Sequence, residues 1–274
     1  IIYHVMPSDL TAGLEYNRDR LKDNMWGYDR HTDQTVNIYS AFLQNEWKND
    51  RWGILIGGRL DKHNMVDNVI FSPRANLRFN PTQNINLRLS YSSGFRAPQA
   101  FDEDMHIENV GGTVAMIERA KNLKEEKSQS FSASADMYHR FGVFQTNFLI
   151  EGFYTRLTDV FVLGEPYDRG DGILVKTRSN GPGAKVMGLT LEGKVAYLSI
   201  LQIQAGLTLQ RSRYDEPHKW HDDAPAEKKI FRTPDTYGYF TATYTPIKPL
   251  SIALSGTYTG RMLVQRMDIT AENA

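Results

Sequence analysis

The stretch that decides the fold reads RANLRF at residues 74–79, turns at NPTQ (80–83) and returns as NINLRLSY (84–91). In both segments apolar residues stand at every second position, with asparagine, arginine or serine between most of them. Because the side chains of a β-strand point to opposite faces in turn, one face of each strand meets an apolar phase and the other meets water. The pattern predicts two antiparallel strands joined by a short turn.

The same alternation recurs along the chain. It is clearest at residues 201–210, where leucine, isoleucine and alanine alternate with glutamine, glycine and threonine. We count about eleven such strands, many near the roughly 9–11 residues that a tilted strand needs to cross a bilayer. No long segment has the 3.6-residue period of an amphipathic helix.

The connections between these strands alternate in length. Short turns are predicted near residues 49, 81, 140, 199 and 247, and long polar loops near residues 25, 66, 110, 170 and 222. Successive antiparallel strands place alternate connections at opposite rims, and outer-membrane barrels have short periplasmic turns and longer extracellular loops. Trp47 and Trp52 flank one short turn, where an interfacial aromatic girdle is expected. The sequence therefore predicts an all-β fold, an antiparallel up-and-down transmembrane β-barrel wall in contact with outer-membrane lipid.

Composition leaves one alternative fold open. The 274 residues carry 32 basic and 32 acidic side chains and no cysteine, so neither a nucleic-acid surface nor a disulfide framework is predicted. A soluble β-sandwich or lipocalin-like barrel also has alternating strands. Soluble strands usually span about five or six residues, however, and sandwich loops have no such difference between two rims. We therefore favour the membrane barrel.

Nothing in the sequence points to catalysis. It has no Ser-His-Asp spacing signature, no phosphate loop leading into a helix and no His-Glu-x-x-His motif. We predict that the protein is not an enzyme and has no cofactor. The opening residues IIYHV lack the basic start and sustained apolar core of a signal peptide, so the chain is expected to begin in mid-protein.

Several motifs carry a family resemblance. They are GFRAP at residues 94–98, NLKEEKS at 122–128, GLTLEG at 188–193 and YTGRM at 258–262. In this order and spacing the chain resembles the TonB-dependent outer-membrane receptors, in particular those for ferric siderophores and colicins. Glu125 stands where that family usually has proline.

The resemblance implies a plugged barrel of about 22 strands. Single-chain bacterial barrels close with an even number of strands, and open strand edges are costly in lipid. Residues 1–274 are thus expected to be one partial barrel domain, with the plug domain and final strands outside it.

The resemblance also implies a function in the bacterial outer membrane. The expected activity is import of a bulky nutrient chelate of the ferric siderophore, haem or cobalamin class, driven by a TonB-type energy transducer acting on the plug. The alternatives are a passive porin-like channel and a surface receptor or adhesin whose long loops bind a protein, such as a surface lipoprotein.

Five loop residues are candidate ligand contacts. Arg96 lies in the first motif, Asp102 and His106 lie between the first two motifs, and Tyr167 and Trp220 lie in later long loops. In haem-receptor relatives a histidine of this first loop ligates iron, so the resemblance makes His106 a candidate axial ligand. Exposed aromatic rings suit flat organic ligands, although packing among the loops is the alternative.

Two further sets of polar residues could have a functional role. The segment HKWHDD (218–223) has two imidazoles and two carboxylates, but no helix fixes their spacing, so no metal site is predicted. Six charged residues are expected to face the barrel lumen: Arg59, Arg78, Arg88, Glu151, Glu192 and Lys194.

Overall fold

The computed structural model describes residues 7–28, 30–99, 108–110, 113–170, 172–219 and 225–264. Within these ranges almost every element is a β-strand. The strands are β1 (Ser8–Met25), β2 (Arg30–Lys48), β3 (Trp52–His63), β4 (Ile70–Thr82), β5 (Ile85–Arg96), β6 (Glu108–Val110), β7 (Thr113–Arg119), β8 (Glu126–Phe141), β9 (Phe144–Thr158), β10 (Phe161–Leu163), β11 (Tyr167–Asp168), β12 (Leu174–Asn180), β13 (Ala184–Tyr197), β14 (Leu201–His218), β15 (Glu227–Lys229), β16 (Thr236–Ile247) and β17 (Leu250–Thr259). A single 3₁₀ turn, Trp26–Tyr28, joins β1 to β2.

Eleven strands form one antiparallel up-and-down sheet, which we call the wall. Their order is β1-β2-β3-β4-β5-β8-β9-β13-β14-β16-β17, and the short β15 pairs with β14. This confirms the predicted fold and the predicted number of strands. Among the described residues no helix is long and apolar enough to cross a membrane.

The register of the wall separates an apolar face from a polar face. Leu77, for example, stands opposite Ile54 on one side and Leu89 on the other. The apolar face is not buried: Leu207 and Leu209 are 41% and 46% exposed. A soluble sandwich would bury these side chains, so that alternative is wrong.

The opposite, polar face carries the six charges predicted to face the lumen. Arg78 stands opposite Arg88, and Glu151 stands between Ser134 and Thr190. The register places all six on this face: Arg59, Arg78, Arg88, Glu151, Glu192 and Lys194.

One rim of the wall has only short connections. They lie at residues 49–51, 83–84, 142–143, 198–200 and 248–249, as predicted. Aromatic rings pair at this rim, with Trp52 stacked on Phe79 at 4.3 Å between centroids and Phe144 against Tyr197 at 5.0 Å. These pairs lie where the aromatic girdle of a membrane barrel is expected.

The segment predicted to be the first long loop is mostly β-strand. Residues 18–33 were expected to be a polar loop, but β1 and β2 stay paired as far as Met25 and Arg30. The 18 residues of β1 reach about 60 Å at roughly 3.3 Å each, well beyond a bilayer. Alternation stops there because neither face meets hydrocarbon, and polar side chains are accepted on both, as the exposed ion pair of Arg20 with Asp33 at 2.8 Å illustrates. The loop expected at 211–232 is likewise partly strand, since β14 continues to His218.

Two other long connections fold together into a second sheet, which we call the loop sheet. It contains β6, β7, β10, β11 and β12, and β7 pairs with β12 in parallel. Met116 and Val175 are opposite each other in that pairing and are only 1% and 0% exposed. The connections near residues 110 and 170, predicted only as long polar loops, therefore contain paired strands.

Candidate functional site

The FRAP motif forms a strap at the long-loop end of the polar face. Ala97 is buried and packs with Val66 and Ile70. The fully buried His63 of β3 lies 3.3 Å from the Gln99 side-chain oxygen through Nε2, and its Nδ1 accepts the Met65 amide at 3.0 Å. Since the backbone amide must donate, Nδ1 is the acceptor and Nε2 carries the proton. His63 therefore holds the strap to the wall and is not available to a ligand.

Arg119, at the end of β7, joins three parts of the structure. Its Nη1 donates to the Gln34 side-chain oxygen on β2 at 2.9 Å and to the Pro98 carbonyl on the strap at 2.9 Å. The Ala120 amide donates to the Arg178 carbonyl at 2.8 Å, which ties the same segment to β12. The wall, the strap and the loop sheet are thus fixed relative to one another around this side chain.

Beside Arg119 lies a cavity of about 620 Å³ between β2, the strap and the loop sheet. Its volume is in the range of small-molecule sites. Four of its lining residues are cationic, one is an imidazole and one is acidic: Arg30, Arg119, Lys121, Arg169, His31 and Glu118. Arg30 is paired with Asp23 at 2.9 Å. The surplus of positive charge favours an anionic ligand.

A hydrogen-bonded network lies on the polar face in β1, β2 and β3. The Asp61 carboxylate, 3% exposed, accepts from Ser40 Oγ at 2.6 Å and from Arg59 Nε at 2.8 Å. Arg59 also donates to Glu15 at 2.8 Å. The carboxylate is buried with its partners in place, so the network stabilises the wall instead of offering an open site.

Two of the predicted ligand residues have described surroundings. The Arg96 guanidinium lies over the Phe161 ring at 5.5 Å from its centroid, and the Phe161 amide donates to Glu126 Oε2 at 2.9 Å. Arg96 therefore supports β10 through a cation–π contact. Tyr167 is 49% exposed on β11. Neither residue lines the 620 Å³ cavity.

The remaining predictions lie outside the described residues. These are Asp102 and His106, in the segment 100–107, and Trp220, in the segment 220–224 with most of the HKWHDD motif. In the part of the chain that the structure describes, no group of three or more histidine, aspartate or glutamate residues is arranged to hold a metal ion.

The cationic lining was missed by sequence reasoning. Arg30, Arg119, Lys121 and Arg169 come from β2, β7 and two loop segments that are distant in sequence. The only local signal was the pair of cations around Ala120 just before the NLKEE motif.

A larger groove lies on the other side of the sheet. It has a volume of about 1290 Å³ and follows the apolar face from β3 to β16, with residues such as Ile56, Leu89, Phe131 and Leu189 along it. Its lining is mostly aliphatic and aromatic, which suits acyl chains and not a charged chelate.

Comparison with known families shows to which family the chain belongs. The family model "TonB dependent receptor-like, beta-barrel" matches residues 3–270. The chain belongs to this family. Its wall is accordingly that of an outer-membrane β-barrel, as predicted.

Solved structures of similar fold are receptors and transporters. The siderophore receptor PirA from Pseudomonas aeruginosa matches with a TM-score of 0.71 and 17% identity over 94% of this chain and 46% of that one. The FrpB iron transporter from Neisseria meningitidis gives 0.65 and 16% over 94% and 41%. The copper transporter OprC gives 0.60 and 14% over 87% and 39%. At these identities the likeness shows the fold alone.

This chain spans less than half the length of each of those proteins. The comparison with curated proteins found no match.

Proposed function

We propose that this chain is part of the wall of an outer-membrane importer for a bulky, negatively charged metal chelate, driven by a TonB-type energy transducer. The observation that carries the proposal is the cationic cavity at the long-loop end of the polar face. A ligand arriving from outside meets this rim first, because the long loops of outer-membrane barrels are extracellular.

The cavity chemistry narrows the expected cargo. Arginine presents a planar fork of donors that binds anionic oxygens in pairs, and lysine adds a mobile point charge. Of the ferric siderophore, haem and cobalamin classes, this favours siderophores with anionic oxygen ligands and haem with its two propionates. For a haem cargo we propose His106 as the axial ligand.

The neighbouring structures support the same class of cargo. One is named as a siderophore receptor, one as an iron transporter and one as a copper transporter. Their shared feature is a metal or a metal chelate brought across the outer membrane, which agrees with an active importer better than with a passive porin or an adhesin.

Charge reversal in the cavity tests the proposal. The full-length gene is expressed in a strain that lacks its own receptors, and growth and uptake are measured on defined siderophore, haem and cobalamin sources. Lys121→Glu together with Arg169→Glu replaces attraction by repulsion and is expected to weaken apparent affinity for the cargo about tenfold or more. The matched control is Lys22→Glu together with Lys124→Glu, two exposed lysines that do not line the cavity.

Two further experiments distinguish active import from a passive channel and test haem as the cargo. Deleting the energy transducer should abolish uptake, whereas uptake that persists without it would identify a passive channel. Replacing His106 by alanine should abolish haem use only if haem is the cargo. Unchanged affinity in the doubly reversed variant would overturn the role of the cavity.

A further inference from the structure

Four cations form a row across adjacent strands at the upper edge of the apolar face. Lys185 of β13 stands directly opposite Arg156 of β9 and Arg213 of β14, and Arg213 stands opposite Lys229 of β15. We call these four residues the basic row. Like charges placed directly opposite each other destabilise a sheet, so such a row calls for anionic partners.

The chain supplies part of that negative charge. Asp215 binds Arg156 at 2.6 Å and Lys185 at 3.1 Å, and Asp235 binds Lys229 at 2.5 Å. Arg211 adds a fifth cation one step lower on the same face of β14. On this patch of the described wall, two carboxylates therefore face five cations, and positive charge is left over.

The basic row borders directly on the apolar groove. The next residues down each strand are Tyr154, Met187 and Arg211, which are paired in register with one another. All three line the 1290 Å³ groove, which runs across the strands and has Leu189 and Leu209 at its lower edge. Below it the apolar face continues with Leu191 and Leu207, which are paired in register. Cationic and apolar surfaces thus follow each other along the strands, in the order of headgroup and acyl chains in a lipid.

We propose that this patch binds an anionic lipid of the outer leaflet, with its phosphate on the basic row and its acyl chains across the groove and along the apolar residues below it. The long-loop rim is the extracellular one in barrels of this kind, so the row lies at the outer surface of the membrane. Charge and apolar area act together here, because a basic residue at a membrane surface attracts anionic headgroups while hydrocarbon covers the groove.

Lipid retention measures this site directly. The full-length protein is placed in nanodiscs that contain phosphatidylcholine and phosphatidylglycerol, and the lipids that stay bound are identified by native mass spectrometry. The wild-type protein is expected to retain phosphatidylglycerol in preference to phosphatidylcholine. Inorganic phosphate in excess should not displace it, because free phosphate gains nothing from the groove.

Charge removal should reverse that preference. Lys185→Gln, Arg213→Gln and Lys229→Gln together remove three cations and should weaken phosphatidylglycerol retention roughly 100-fold at low salt, given the attraction per basic residue at a surface. The matched control is Arg88→Gln, Lys194→Gln and Lys248→Gln, with two changes on the polar face and one at the short-turn rim. It removes the same charge and should leave retention within about twofold.

A second variant is expected to strengthen lipid retention. Asp215→Asn removes the carboxylate that occupies Arg156 and Lys185, and it should strengthen retention about fivefold. Equal loss in the triple variant and its control, displacement by inorganic phosphate, or weaker retention in Asp215→Asn would each overturn the proposal.

Discussion

In the wall the apolar side chains are the exposed ones, whereas in the loop sheet they are the buried ones. Leu14 on β1 is 88% exposed and Val175 on β12 is 0% exposed. Both positions are apolar, but the wall turns its apolar face to hydrocarbon while the loop sheet excludes water from its interior. The same type of residue therefore has opposite energetic roles in the two regions, and substitutions should separate them.

The largest effect is expected in the loop sheet. Val175→Asp places a carboxylate where no water reaches, which costs about 3–5 kcal/mol for an uncompensated buried charge. The loop sheet should open, and limited proteolysis should cut segments 113–119 and 161–180 while the wall stays resistant.

The control for that change is Val69→Asp, at an exposed valine of the same rim (56% exposed). It should leave the proteolysis pattern unchanged. Cleavage in both variants would mean that the rim as a whole, and not the loop sheet interior, responds to charge.

The next largest effect tests the two faces of the wall with adjacent residues. Leu89→Arg puts a charge on the apolar face, where lipid contact costs about 2–4 kcal/mol near the middle of a bilayer. Ser90→Arg puts the same charge on the polar face and should change stability by less than about 1 kcal/mol. Denaturant unfolding in lipid vesicles measures both, and similar losses in the two variants would contradict the assignment of faces.

A smaller effect is expected where an aromatic ring covers a glycine. Gly256 stands opposite Phe240, and a Cβ built on it would clash with the ring. Gly256→Ala must turn that exposed ring aside, which costs about 0.5–1.5 kcal/mol if the ring leaves its preferred rotamer. Gly193→Ala is the control on the same face, since a Cβ there meets nothing within 4 Å. It should be neutral or slightly stabilising in the same unfolding assay.

The smallest effect is expected above the membrane. Asp33→Asn breaks the ion pair with Arg20, but both side chains are about half exposed, at 51% and 56%. Water and salt replace such a surface contact, so unfolding should show no measurable change. A clear loss of stability would show that the extended part of β1 and β2 depends on its charges.

The same contrast between the wall and the loop sheet explains how much of the fold could be predicted from the sequence. The eleven wall strands could be read from the sequence because hydrocarbon imposes alternation on every residue that it touches, as at 201–210. Above the membrane neither face of β1 and β2 meets hydrocarbon, so residues 18–33 lack the alternation although they remain strand.

Local sequence patterns could not predict the loop sheet or the cationic cavity. The run at residues 173–175 was visible as apolar, but its partner strand β7 lies roughly 60 positions earlier and pairs in parallel. Arg96 and Tyr167 were chosen for motif and residue type, while the cavity is assembled from cations on separate segments. The pairing of β7 with β12 brings the loop segments together, and the hydrogen bond from Arg119 to Gln34 joins them to β2.

That parallel pairing also constrains how such proteins diversify. The two excursions that contribute β7 and β12 cover each other's apolar residues, Met116 and Val175. Moving one of them alone into a different receptor would expose the apolar residue of the other to water, so a functional graft of this rim has to carry both segments together.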